Sequence, residues 1–161
     1  MLRDFRINGA KAPDAMHKAK TEMVTGMAVV REDTTTDKFV KITTTETVAD
    51  ILFVDKERVP TGINAAKGDM SDYDPDFVNI KANEMVTIDK FAVDEKFGTD
   101  QFVTADFTTE TAIDTRISFK DGKAMKATIA SPYKFKGLFD DNGHTLIQIE
   151  VSDTAEKNTT A

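Results

Sequence analysis

The chain has 161 residues, 40% of them hydrophobic and 30% charged, with a formal net charge of -7 and no cysteine. That size and mixture fit one globular domain with its own core. The acidic balance argues against a nucleic-acid binder, which needs cations to meet phosphates. The absence of cysteine excludes disulfides and thiolate metal sites, and no apolar run reaches the ~18 residues of a membrane-spanning helix.

Residues 1–23 read as an N-terminal arm. Arg3, Asp4 and Arg6 stand where a signal peptide needs an apolar stretch, so the expectation is a protein made in the cytoplasm. Within residues 1–20, Arg3, Arg6, Lys11, Lys18 and Lys20 face only Asp4 and Asp14, a balance of +3 against -10 for the remainder. A basic arm on an acidic body points to a solvated tail or to an arm that contacts something other than its own surface. In "KAPDAMHKAKTEM" (Lys11–Met23), Ala12, Met16, Ala19 and Met23 recur at helical spacing, and Pro13 suits a first helical turn. The segment is expected as a short helix that needs a partner, or as an extended stretch.

Residues 24–57 read as strands. "VTGMAVVRE" is apolar and β-branched, with Gly26 marking a bulge or a close approach of backbone. "EDTTTDK" is a turn, and "KFVKITTT" puts Val40 and Ile42 on one face. Ile51, Leu52, Phe53 and Val54 follow one another between Asp50 and Asp55. Such a run predicts a strand covered on both faces.

Residues 58–83 form a long irregular connection punctuated by Pro60, Gly62, Gly68 and Pro75. β structure resumes over 84–151. "EMVTIDKF" sets Val86 and Ile88 on one face, and "QFVTADF" reads as a short aromatic strand. Asp121-Gly122 and Asn142-Gly143 each sit between alternating runs, the pattern of a type I′ hairpin. Ile147, Ile149 and Val151 line one side of the last strand, and 152–161 reads as a disordered polar tail. The expected fold is all-β, a compact β-barrel or β-sandwich body over 24–151 with an N-terminal arm or short helix.

The densest cluster of acidic side chains is "GDMSDYDPDF", where Asp69, Asp72, Asp74 and Asp76 crowd together. Asp72, Asp74 and Asp76 have the opening spacing of an EF-hand loop, but Phe77 stands where the turn needs glycine and Asn83 where a bidentate glutamate belongs. The aspartates are read as turn caps, with Tyr73 and Phe77 pinning the loop to the body. His17 and His144, the two histidines, lack metal-ligand spacing and read as surface residues. No nucleophile elbow, P-loop or dinucleotide fingerprint occurs. With no Trp and two Tyr, the stacking aromatics of a sugar-binding groove are scarce. The expectation is a structural or interaction protein with no cofactor and no catalytic or metal residues.

The order of segments resembles the small head proteins of tailed phages that infect Gram-positive bacteria, the capsid decoration or cement proteins. The resemblance rests on "GMAVV", "DILFVD", "VPTGINAAKGDMSDYDPDF", "KANEMV", "FGTDQF" and the closing "NGHTLIQIEV", and covers most of residues 24–151. Ile51 departs from it, standing where a glycine is expected. The resemblance implies a non-enzymatic virion protein on the capsid surface. It implies binding to the major capsid protein shell, a trimer as the favoured homo-oligomer, and no nucleic-acid or membrane partner. Arg3, Phe5, Arg6, Ile7, Lys11, Met16, Tyr73 and Phe77 are then the candidate capsid or subunit contacts. A tail or baseplate protein is the alternative, and a host-surface or glycan-binding module ranks below it.

Overall fold

The computed structural model describes residues 1–5, 14–55 and 79–159. Among these residues every regular element is a strand: β1 (Leu2–Asp4), β2 (Asp14–Ala19), β3 (Met23–Val24), β4 (Ala28–Asp33), β5 (Lys38–Lys41), β6 (Leu52–Val54), β7 (Asn79–Ile80), β8 (Met85–Asp89), β9 (Lys96–Thr99), β10 (Arg116–Lys120), β11 (Lys123–Lys126), β12 (Ser131–Asp141) and β13 (His144–Glu156). The chain is all-β. Five strands close a barrel in the order β2-β5-β4-β6-β8, six form a sheet in the order β1-β9-β13-β12-β10-β11, and β3 pairs β7.

The barrel is small enough to be filled by its own side chains. Ala19, Val29, Val40, Leu52, Val54, Val86 and Ile88 point inward and are buried. Alternation on each strand produces this set, so the pairs Val86/Ile88 and Val40/Ile42 share a face as expected. All the barrel's ladders are antiparallel except one: β2 runs parallel to β5, through Lys18 opposite Phe39 and Ala19 opposite Val40. That short seam closes the barrel.

β6 joins barrel to sheet. Leu52 and Val54 face the barrel interior, whereas Ile51 and Phe53 face a second core with Phe97, Phe119, Phe135, Ile147 and Ile149 from the sheet. All three strand residues are buried, as a strand covered on both faces requires. The Phe53 ring centre lies 4.5 Å from that of Phe97, 5.4 Å from Phe119 and 5.7 Å from Phe91. Ile51 is buried, and the positive φ nearby belongs to Asp50, at 54°.

Both hairpins take the expected form. Asp121 and Gly122 have φ of 52° and 76°, and Asn142 and Gly143 have 52° and 88°. Two successive positive φ values define the type I′ turn, whose twist matches the flanking strands. Gly26 is a close approach: a Cβ there would stand 2.6 Å from the Met1 carbonyl oxygen and 2.7 Å from Thr99 Oγ1.

Several expectations are corrected. Of the helix and the extended stretch expected over Lys11–Met23, the described part takes the extended form: residues 14–19 are a strand, and Met23 starts β3. The apolar stripe is not a face, because Met16 is 67% exposed while Ala19 and Met23 are buried. Pairing with β8 and β5 satisfies this backbone better than a marginal isolated helix does. The sheet uses "KFGT" as β9, and "QFVTADF" contributes a single bridge from Phe102 to Ala124.

The polar tail is structured as far as Asn158 in its contacts. β13 continues to Glu156, where Ser131 is its partner. Arg116, 4% exposed, is the reason. Its guanidinium donates to the Thr154 carbonyl at 3.2 Å, to the Ser131 carbonyl at 3.3 Å, and to Glu156. Asn158 accepts from the Arg116 amide at 2.6 Å and donates to the Arg116 and Ala127 carbonyls. A buried guanidinium needs such acceptors, and the tail supplies them.

Phe53→Ala removes the ring by which the barrel strand β6 packs into the sheet core. It should cost about 3–5 kcal/mol in urea unfolding followed by circular dichroism. A loss below about 1 kcal/mol would show that the two cores hold together without it.

Candidate interaction surface

The eight candidate contact residues divide sharply. Arg6, Ile7, Lys11, Tyr73 and Phe77 lie outside the described residues, as do Asp69, Asp72, Asp74 and Asp76. Arg3, Phe5 and Met16 are described, and the structure does not bring them to one place.

Arg3 and Phe5 belong to the first sheet edge. β1 pairs antiparallel with β9, through Leu2 opposite Thr99, Arg3 opposite Gly98 and Asp4 opposite Phe97. The Phe5 amide extends this ladder, donating to the Lys96 carbonyl at 3.1 Å. Both side chains are engaged within the chain. The Arg3 Nε donates to Asp141 at the end of β12, and the Phe5 ring meets Phe139 edge-on at 5.4 Å. Gly98 makes that meeting geometrically available. A Cβ on Gly98 would stand 2.7 Å from Phe139 Cζ and 3.3 Å from Phe5 Cε2.

The other described cations of the arm are likewise paired. Lys18 Nζ lies 3.2 Å from Asp37, and Lys20 bonds Glu32, which Lys41 also meets at 2.8 Å. The hydrogen bonds from Lys20 and then Lys41 hold the Glu32 carboxyl below the usual range. This corrects one expectation: for Arg3, Lys18 and Lys20 the acidic partner of the basic arm is the body itself.

Met16 is different. It projects from the outer wall of the barrel, 67% exposed. On the neighbouring strand Met85, 48% exposed, stands opposite Lys18. Residues opposite one another in an antiparallel ladder share a face, so Met16 and Met85 lie diagonally on the same outer wall. Two flexible thioether side chains make an adaptable apolar spot. Met16 is among the residues the sequence suggests as contacts; Met85 is not, because the alternation of "EMVTIDKF" marks only Val86 and Ile88.

His17 is a correction. It is 2% exposed and points into the barrel mouth. The cause is a bulge in β2: Asp14 pairs with Ile88 and His17 with Val86, so three steps on β2 match two on β8. The extra residue turns Asp14 and His17 toward the same end of the barrel. Nearby, a cleft of about 300 Å³ is lined by Asp14, Arg31, Ile88, Asp89, Lys90 and Phe91. Among the described residues no group of three or more His, Cys, Asp or Glu side chains is arranged to hold a metal ion.

No protein-family model matches the chain, and no curated protein or solved structure matches it either.

The Gly98–Phe139 contact is open to a double-mutant cycle. Gly98→Ala should cost about 1–3 kcal/mol by overpacking against the Phe139 ring. Gly98→Ala combined with Phe139→Ala should lose at least about 0.5 kcal/mol less than the two single losses added. Strict additivity in urea unfolding would show that the ring does not govern the glycine.

Proposed function

We propose that the chain is a structural virion protein that binds the outside of an assembled phage capsid and stabilises it by bridging capsomers. The observation that carries this reading is the resemblance of its segment order to capsid decoration proteins. Three of the resembling segments coincide with framework elements: "GMAVV" enters β4, "DILFVD" contains β6, and "NGHTLIQIEV" forms the turn into β13.

A decorating protein needs a body that survives on a crowded surface and a contact that gains strength from many copies. The net charge of -7 keeps neighbouring bodies apart in solution. The exposed Met16–Met85 wall offers an apolar contact of modest size. Each copy then binds weakly, and a trimer at a local three-fold position multiplies the contact without new chemistry.

The N-terminal segment enters this reading in a changed role. Because β1 and β2 are built into the two sheets, deletion of residues 1–23 would remove a barrel strand and unfold the body. The informative variants are on the outer wall. Met16→Glu/Met85→Glu leaves inward packing untouched, and should weaken binding to purified expanded heads at least about tenfold in co-sedimentation. Circular dichroism should report an unchanged fold. Wild-type protein that decorates tails and leaves heads bare, or a double variant that coats heads like wild type, overturns the assignment or its contact surface respectively.

A further inference from the structure

At the barrel mouth the His17 ring lies between two carboxylates. Its Nδ1 is 3.3 Å from Asp14 Oδ2, and its Nε2 is 3.3 Å from Asp33 Oδ1. Both contacts are within ion-pairing distance, yet among the described residues neither nitrogen makes a hydrogen bond of ordinary geometry. Each carboxylate faces a different ring nitrogen, so the three groups do not converge as ligands on one point.

The protonation state follows from counting donors. A neutral imidazole has one N–H and one lone pair. An ionised carboxylate offers only lone pairs. Whichever tautomer is chosen, a neutral ring sets its lone pair against a carboxylate oxygen at 3.3 Å. The imidazolium has two N–H groups and suits both neighbours.

The charged groups around the ring are consistent with this. β2 brings Asp14, and β4 brings Arg31 and Asp33. β5 sets Lys38 opposite Asp33, and β8 sets apolar Val86 opposite His17. Arg31 Nη2 lies 3.6 Å from the same Asp14 oxygen that faces the ring, while Asp14 Oδ1 accepts from the Met16 amide at 2.8 Å. The Met16 bond, with His17 and Arg31 and against the effect of burial, holds the Asp14 carboxyl below the usual carboxylate range. Asp14 therefore faces the ring as an anion.

The position of the strut gives it a purpose. β2 and β4 are not neighbours in the barrel, since β5 lies between them. β2 meets β5 only through the parallel seam of Lys18–Phe39 and Ala19–Val40. The ring thus spans from one side of the seam to the strand beyond it.

We propose that His17 is a buried imidazolium that ties β2 to β4 across the barrel's closing seam, and that loss of its proton releases this tie. The inference is independent of the capsid assignment and would hold for any function. The sign is fixed by the charged form being the one that suits both carboxylates. The tie is present while the ring carries both protons between two carboxylates, and it is lost when pH rises far enough to remove one of them.

The test uses the full chain, ¹⁵N-labelled, with His144→Gln as background so that one histidine signal remains. In mildly acidic to neutral solution, long-range ¹H–¹⁵N correlation should show both His17 nitrogens protonated. The melting temperature should fall by about 2–4 °C from mildly acidic to mildly alkaline pH, the size expected for losing one such contact in a chain this long. Asp33→Asn changes a half-exposed group and keeps its shape. It should convert the ring to a neutral tautomer and abolish that fall. An unprotonated nitrogen on wild-type His17 throughout this range, or an unchanged fall in Asp33→Asn, overturns the proposal.

Discussion

The structure depends on one short strand being buried on both faces. β6 has three residues, and none has access to water. Alternation sends Leu52 and Val54 into the barrel, and Ile51 and Phe53 into the sheet core. Burying four such side chains contributes roughly 1.5–3 kcal/mol each before the entropy of ordering them is subtracted. More important is what the strand fixes. A barrel and a sheet with separate cores would be free to move relative to one another. A shared strand denies that freedom, since any displacement exposes one face or the other. Phe53 makes the coupling specific, because its ring contacts Phe91, which follows β8, together with Phe97 of β9 and Phe119 of β10.

Once that seam is set, the N-terminal segment has defined places to go. β1 adds to the exposed edge of β9, and β2 fills the gap between β5 and β8 that would otherwise leave the barrel open. Unpaired strand edges are costly to expose, so the body recruits its own N-terminus. The ion pairs of Arg3, Lys18 and Lys20 follow from this placement rather than cause it. They are solvent-exposed and contribute little individually. For Arg3, Lys18 and Lys20 the basic charge is thus met by docking within the chain, while Met16 on the outer wall stays exposed.

What could be read from the sequence was whatever local rules decide. Asp121-Gly122 and Asn142-Gly143 specify their turns through φ alone, and a four-residue apolar run between aspartates has few uses other than a doubly covered strand. The all-β class, the inward pairs Val86/Ile88 and Val40/Ile42, and the row of Ile147, Ile149 and Val151 follow from period two. The failures share a different cause: each involves a residue whose role is set by something distant. Residues 14–19 have fair helix propensity, but partners 21 to 74 positions away in sequence decide for strand. The tail past Val151 is polar because Arg116 needs acceptors, a need invisible until β10 and β13 are brought together. His17 looked like a surface residue because a bulge, which has no reliable signature, turned it inward.

The two ends of the barrel show how far these local and distant rules differ. At one end β3 and β7 pair Met23 with Ile80, both buried, and the interior is sealed by hydrocarbon. Apolar closure of this kind carries no titratable group, so protons do not act on it directly. At the other end the alternation of β4 brings Arg31 and Asp33 to the inward face after Val29, and the bulge in β2 brings Asp14 and His17. Closure there depends on complementary charge, which is directional, demands every partner, and responds to protons. A barrel sealed by hydrocarbon at both ends would be indifferent to pH. One with a charged mouth beside its short parallel seam has a responsive ring on β2, the strand that also carries Met16. Any change in how β2 is held therefore reaches the outer wall directly, through the single residue step that separates His17 from Met16.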